Sequence, residues 1–115
     1  MSTSAIDHAT FAELQEAAGA EFVTELVDTF LEDAPALLAE LRAARAVADA
    51  DRYRRAAHSL KSNSQTFGAT ALGKLARALE LGGLNADAAV DLVAIDNIDV
   101  AYAEAATELK SLAHG

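Results

Sequence analysis

The sequence has no cysteine, no tryptophan and a single proline among its 115 residues. Without thiols, neither a disulfide framework nor a thiolate metal site is possible, and the composition fits a reducing compartment. No run of about eighteen uncharged apolar residues occurs, and the N-terminus MSTSAID has neither a basic start nor an apolar stretch. We therefore expect a cytoplasmic protein without an export signal or a membrane segment.

Positive charge is scarce and unevenly distributed. The formal net charge is -9, which argues against nucleic acid as a partner because phosphate backbones are bound by surplus lysine and arginine. Residues 1–41 carry nine acidic and no basic side chains, residues 42–77 carry eight basic and two acidic ones, and residues 78–115 carry one basic and seven acidic ones. The middle segment therefore forms a basic patch for an acidic partner, or it balances the charge of neighbouring helices.

Sequence signals for strands are absent, since β-branched residues are few and apolar residues recur at helical spacing throughout. The length fits one domain, 1–115, and a hydrophobic fraction of 52% is enough for a core. Asp7 and Gly19 are expected to bound a short first helix. A second helix is predicted from Ala20 to about Ala48, and Pro35 is expected to kink or break it.

Three further helices are predicted after residue 48. Asp49 or Asp51 caps the third, which ends at Phe67 before Gly68, and Thr70 caps a fourth that stops near Gly82 and Gly83. The fifth carries apolar residues in steps of three and four: Ile95, Ile98, Tyr102, Ala105, Leu109 and Leu112. We expect an all-α fold, an antiparallel up-and-down four-helix bundle with the short first helix covering one end. Because that bundle uses every apolar stripe, we expect a monomer.

The run His58-Ser59-Leu60-Lys61-Ser62, followed by Gly68, places one histidine on the solvated face of the third helix. At roughly 3.6 residues per turn, Lys61 and Ser62 lie one turn after His58, and Arg54 and Arg55 lie one turn before it. Leu60 instead falls on a packed stripe with Tyr53, Ala57, Ser64 and Phe67. The leucine is therefore anchored while the imidazole faces outward, available as a nucleophile at neutral pH.

Other chemistries find little support in the sequence. His8 and His114 lack comparable surroundings, and we expect neither to be functional. The paired Glu-x-x-His motifs of di-iron bundles are absent, so no metal site is predicted. Gly82 and Gly83 match no phosphate-binding loop, which argues against ATP-dependent autophosphorylation.

The segment AAHSLKSNS at 56–64, followed by Phe67-Gly68-Ala69, Leu72 and the pair Leu79-Glu80, resembles the signature of histidine-containing phosphotransfer (HPt) domains. The segment FLEDAP at 30–35 is similar to the second helix of that family. The resemblance covers nearly the whole chain, loosely outside residues 56–80. It implies a phosphorelay intermediate whose partners are response-regulator receiver domains and a hybrid sensor kinase. It implies no cofactor of its own, since the receiver supplies the magnesium ion.

The resemblance also implies a role for each residue around the histidine. His58 is the phosphoacceptor, Lys61 offsets the phosphoryl charge, and Ser62 stands where the family usually has glycine, still small and able to donate a hydrogen bond. Glu80 is expected to hydrogen-bond one imidazole nitrogen, or to be an ordinary exposed glutamate. Arg54, Arg55 and Gln65 are candidates for partner docking, Gln65 with a plain solvated role as the alternative. The remaining alternative for the whole protein is a helical adaptor that binds receiver or kinase domains without phosphotransfer.

Overall fold

The computed structural model describes residues 4–114, so residues 1–3 and Gly115 of the predicted 1–115 domain lie outside the described part. Within that part the chain forms five α-helices and no strand: α1 (His8–Ala18), α2 (Ala20–Ala46), α3 (Ala50–Phe67), α4 (Thr70–Gly82) and α5 (Ala88–His114). The expected all-helical class is confirmed. No helix among these residues is both long and apolar enough to cross a bilayer.

Helix termini follow from short polar side chains and glycine. The Asp7 carboxylate accepts from the amide of Ala9 at 3.1 Å and begins α1, and Gly19 ends it at a φ of 94°. Of the two aspartates considered for α3, it is Asp49 that accepts from the Arg52 amide, at 3.1 Å. A side-chain oxygen at this position satisfies one of the amides that the first helical turn leaves unpaired.

The predicted cap of α4 is wrong by one residue. Thr70 is the first helical residue of α4, and Ala69 occupies the capping position without a side-chain hydrogen bond. The Thr70 hydroxyl donates backward to the carbonyl of Gly68 at 3.3 Å instead of capping the helix. Gly68 itself ends α3 in the left-handed region, as predicted.

A kink or a break was expected at Pro35, and the break does not occur, because α2 continues through this residue. Proline has no amide hydrogen to donate to the carbonyl four residues earlier, which here belongs to Leu31. The hydroxyl of Tyr102 on α5 donates to that carbonyl at 3.2 Å, and its ring packs edge-on against Phe30. Helix α5 therefore supplies the hydrogen bond that Pro35 cannot make.

The helices pack through the apolar faces that the spacing predicted. Helix α3 packs against α2 and α4, α5 packs against the same two helices, and α1 contacts α2 and α3. The whole stripe predicted on α3 is buried: Tyr53, Ala57, Leu60, Ser64 and Phe67. Ile95, Ile98, Ala105 and Leu109 of the α5 seam are buried too, while Tyr102 and Leu112 are partly covered. Packing of these faces leaves position 58 of α3 toward solvent.

The segment before α1 is held to the bundle by one carboxylate on α5. Glu108 accepts from the amides of Ala5 and Ile6 at 2.8 and 3.2 Å, and from the side chains of Ser4 and His8. Burial raises the pKa of Glu108, but these hydrogen bonds outweigh it, so the pKa lies below its usual value of 4.5. Glu108 is therefore a charged acceptor that joins the N-terminal segment to α5.

We expect Glu108→Gln to lower the free energy of unfolding by about 1 kcal/mol near neutral pH, the typical net contribution of one hydrogen bond. A lowered folded-state pKa gives stability that is present above the unfolded pKa and lost as the pH falls through the folded one. In urea unfolding, the deficit of the variant should therefore shrink on going from about pH 6 to about pH 3. A deficit that stays constant over this range would contradict this, and Glu104→Gln, exposed one turn earlier on α5, is the matched control.

Candidate functional site

His58 lies on the outer face of α3, as the spacing predicted. Its side chain is 57% exposed, while its neighbour Ala57 and the anchoring Leu60 are fully buried. Burial of Leu60 in one direction fixes the rotation of the helix, and this rotation keeps the imidazole outside the core. The ring is thus accessible from water and held by a rigid element.

Glu80 of α4 joins His58 to Lys61. One carboxylate oxygen lies 2.5 Å from Nδ1 of His58, and the other lies 2.8 Å from Nζ of Lys61. Because a carboxylate only accepts, Nδ1 carries the proton in this arrangement, and in the neutral ring Nε2 then keeps its lone pair. No residue among 4–114 hydrogen-bonds Nε2 of His58. The site therefore presents one oriented imidazole with a free nucleophilic nitrogen.

Glu80 is ionised in this arrangement. The hydrogen bond from Lys61 contributes most to lowering the pKa of Glu80 below its usual value of 4.5, and the hydrogen bond and charge of His58 act in the same direction against burial. A carboxylate that stays charged in mildly acidic solution can hold a proton on Nδ1 and stabilise positive charge on the ring.

The close approach of α3 and α4 brings Glu80 to the histidine. Gly73 faces α3, where an added Cβ would lie 3.4 Å from Cγ of Gln65 and 3.9 Å from the carbonyl oxygen of Lys61. Glu80 follows Gly73 by seven residues, about two turns, and so lies on nearly the same face of α4. Leu72, Ala76 and Leu79 are buried beside this face and fix its direction. The apolar pattern of α4 thus determines where the carboxylate is presented.

An open cleft of about 370 Å³ lies beside the ring, lined by Arg54, Arg55, His58, Ser59 and Glu80. Four of these residues are predicted site residues and Ser59 is not, although its i+4 spacing from Arg55 places both on one face of α3. Ser62 and Gln65 are exposed on α3 but lie outside the lining of this cleft. The proposed site residues thus separate into a group that shares the cleft and a group farther along the helix.

Most basic side chains of the middle segment pair with acids inside the molecule. Arg42 pairs with Asp96 and Asp99, Arg45 with Asp91, Arg52 with Glu40, Arg54 with Asp51, and Lys61 with Glu80. Arg55, Lys74 and Arg77 have no ion pair among residues 4–114. Both interpretations of the charge pattern therefore apply, since most of these cations balance acids of the bundle while Arg55 lies without an ion pair to any described residue in the cleft beside the histidine.

Among residues 4–114, no three histidine, aspartate or glutamate side chains cluster closely enough to hold a metal ion. Around His58 the structure brings together an imidazole, the carboxylate of Glu80 and the ammonium group of Lys61.

A helical bundle that presents an exposed histidine with Nε2 unbonded within the described residues, oriented by a carboxylate and flanked by cations, is the architecture of a phosphoryl carrier. The family model for the Hpt domain matches residues 25–113, and the chain belongs to this family. It is similar in structure to histidine-containing phosphotransfer protein B (HptB) from Pseudomonas aeruginosa PAO1, with a TM-score of 0.83 and 28% sequence identity over 97% of this chain and 96% of that one. No curated protein sequence matches the chain significantly.

Proposed function

We propose that this chain is a phosphorelay intermediate that accepts a phosphoryl group on Nε2 of His58 from the aspartate of one receiver domain and passes it to another. The observation that carries the proposal is the hydrogen bond from Nδ1 of His58 to Glu80, which leaves Nε2 free on a ring that is 57% exposed. The membership in the Hpt domain family supports the same conclusion.

The chemical step is a displacement at phosphorus. The Nε2 lone pair forms a bond to the phosphorus of the aspartyl phosphate, the bond from phosphorus to the carboxylate oxygen breaks, and the aspartate leaves as a free carboxylate. The proton stays on Nδ1, so the phosphorylated ring is positively charged and faces the carboxylate of Glu80. In the return step the ring departs as neutral imidazole, a good leaving group, and the transfer is reversible.

In this proposal the catalytic groups other than the histidine are supplied by the partner proteins. The receiver domain would supply the acidic cluster and the magnesium ion, and a hybrid sensor kinase would charge the relay upstream. The chain itself would need no nucleotide or cofactor and would act as a cytoplasmic phosphocarrier rather than as an enzyme. It would work as a monomer that docks transiently, with Arg54, Arg55 and Gln65 in or near the contact surface.

We propose that the scaffold of this carrier is one domain over residues 1–115, an antiparallel up-and-down four-helix bundle of α2 to α5 with α1 across one end. The contacts support this arrangement, because α2, α3, α4 and α5 each pack against two of the others in a closed ring. Helix α1 touches only α2 and α3 within the described residues.

Ser62 lies one turn after His58 and is exposed, on the side from which a receiver would approach. We expect Ser62→Leu to slow phosphotransfer from a receiver by about tenfold, because the bulky side chain obstructs the approach of the receiver. A tenfold change in rate corresponds to about 1.4 kcal/mol in the transition state. The measurement is the initial rate of label transfer, with Ser62→Gly as the matched control that should transfer at least as fast as the wild type. A folded leucine variant that transfers at the wild-type rate would exclude this role.

The function is tested by incubating the protein with a panel of receiver domains that carry ³²P on their aspartates. A carrier acquires label that is labile in acid and stable in alkali, and loses it to a second, unphosphorylated receiver. An adaptor binds receivers in a pull-down but acquires no label from any of them, and this result would replace the present proposal with the adaptor function.

A further inference from the structure

Lys61, the lysine predicted to offset the phosphoryl charge, already forms an ion pair with Glu80. Nζ of Lys61 lies 2.8 Å from Glu80, and the side chains of this pair are only 19% and 16% exposed. Glu80 also holds Nδ1 of the ring, so Lys61 lies on the Nδ1 side of His58. Moving Lys61 to a phosphoryl group on Nε2 would break this ion pair and leave Glu80 with one partner fewer.

The opposite flank of the ring carries another cation. At about 100° per residue, Lys61 lies about 60° to one side of His58 around the helix axis, and Arg55 lies about 60° to the other. The contacts agree with this placement, since Arg55 lines the cleft beside His58 and also a groove toward α2 with Leu37 and Glu40. Arg55 is thus on the α2 side of the ring, whereas Lys61 and Glu80 are on the α4 side.

The two arginines nearest to Arg55 along α3 are already paired. Arg52 is bound to Glu40 of α2, and Arg54 lies 3.6 Å from Asp51. Arg55 has no ion pair with any residue among 4–114, although it shares the cleft with His58. A guanidinium one turn from the acceptor nitrogen offers the planar pair of donors that binds two phosphoryl oxygens at once.

Building on the proposed function, we propose that Arg55 binds the phosphoryl group on Nε2 of His58, while Lys61 remains bound to Glu80 on the other side of the ring. Arg55 would then act within this chain, in addition to any contact it makes with a receiver. The two cations would have different roles. Lys61 would hold Glu80 in place, and Arg55 would neutralise the charge of the phosphoryl oxygens.

The test uses a phosphoryl donor that has no docking surface. Phosphoramidate transfers its phosphoryl group as Nε2 of His58 bonds to phosphorus, the P–N bond breaks and ammonia leaves. We expect Arg55→Gln to be phosphorylated about tenfold more slowly than the wild type, the factor typical of losing a charge-assisted hydrogen bond. In ³¹P NMR, the titration of its phosphoryl oxygens should move to higher pH. Arg55→Lys should recover part of both effects, because it keeps the charge without the planar pair of donors.

Two further variants make the outcome decisive. Arg77→Gln removes the same charge from α4, outside the lining of the cleft, and should behave as the wild type in both measurements. If Arg55→Gln matches the wild type while Lys61→Gln or Arg77→Gln shifts the ³¹P titration, the assignment to Arg55 is wrong. If the wild type is labelled neither by phosphoramidate nor by any receiver, the proposed function fails and this inference with it. Thermal unfolding of Arg55→Gln checks that this exposed position leaves the fold intact.

Discussion

His58→Gln should abolish phosphorylation of the chain completely, from every receiver that labels the wild type. Glutamine retains a polar amide of similar reach, but its nitrogen has no available lone pair and cannot attack phosphorus. The position is 57% exposed, so the substitution leaves the core unchanged and the variant should fold with wild-type stability. The measurement is the alkali-stable ³²P label that the variant and the wild type carry on a gel.

The other two histidines serve as matched controls for this prediction. His8 pairs with Glu108 at 2.5 Å and His114 pairs with Asp28 at 2.9 Å, in both cases through Nε2. His114→Gln should therefore retain full labelling, and so should His8→Gln once its stability has been checked. Residual label on His58→Gln, or its loss on His114→Gln, would show that the acceptor lies elsewhere. A receiver pull-down with His58→Gln separates lost chemistry from lost docking.

Glu80→Ala should slow phosphotransfer by about 10- to 100-fold, the range seen when a residue that orients a reactive histidine is removed. Two contacts are lost at once, since Glu80 holds Nδ1 of His58 at 2.5 Å and Nζ of Lys61 at 2.8 Å. The ring then rotates freely, exchanges its proton between both nitrogens and loses the negative charge that faces it after phosphorylation. Rates of transfer in both directions between a receiver and the variant are the measurement.

Glu80→Gln distinguishes geometry from charge at the same position. The amide oxygen can still accept from Nδ1, so this variant should transfer faster than Glu80→Ala and more slowly than the wild type if both orientation and charge matter. Glu104→Ala, an exposed glutamate on α5, is the control for loss of one negative charge. Equal rates for Glu80→Ala and the wild type would show that the contact to His58 has no part in the reaction.

Local patterns in the sequence were sufficient for the helices and for the outward placement of His58. The ends of α1 and α3 follow from Asp7, Asp49 and the glycines at 19 and 68, because caps and left-handed turns depend on the residue at the position itself. The outward direction of His58 follows from the buried stripe through Leu60, because a helix has one rotation that buries its apolar face.

Where a partner comes from a distant part of the chain, local patterns failed. The expected break at Pro35 rested on a lost hydrogen bond, and Tyr102, 71 residues from Leu31, supplies it from α5.

The sequence by itself determined an all-helical chain with one outward-facing histidine among cations, because helix periodicity and capping are set by residues within a few positions of each other. Only the tertiary structure decided which cation near His58 is paired with a carboxylate. Lys61 and Glu80 lie on different helices, and their 2.8 Å contact depends on how closely α3 and α4 pack at Gly73. Because of that packing, Lys61 forms its ion pair with Glu80, and Arg55 stays beside the ring without an ion pair to any residue among 4–114. Ion pairing depends on the distance between charges, and distances between helices cannot be read from a local sequence pattern.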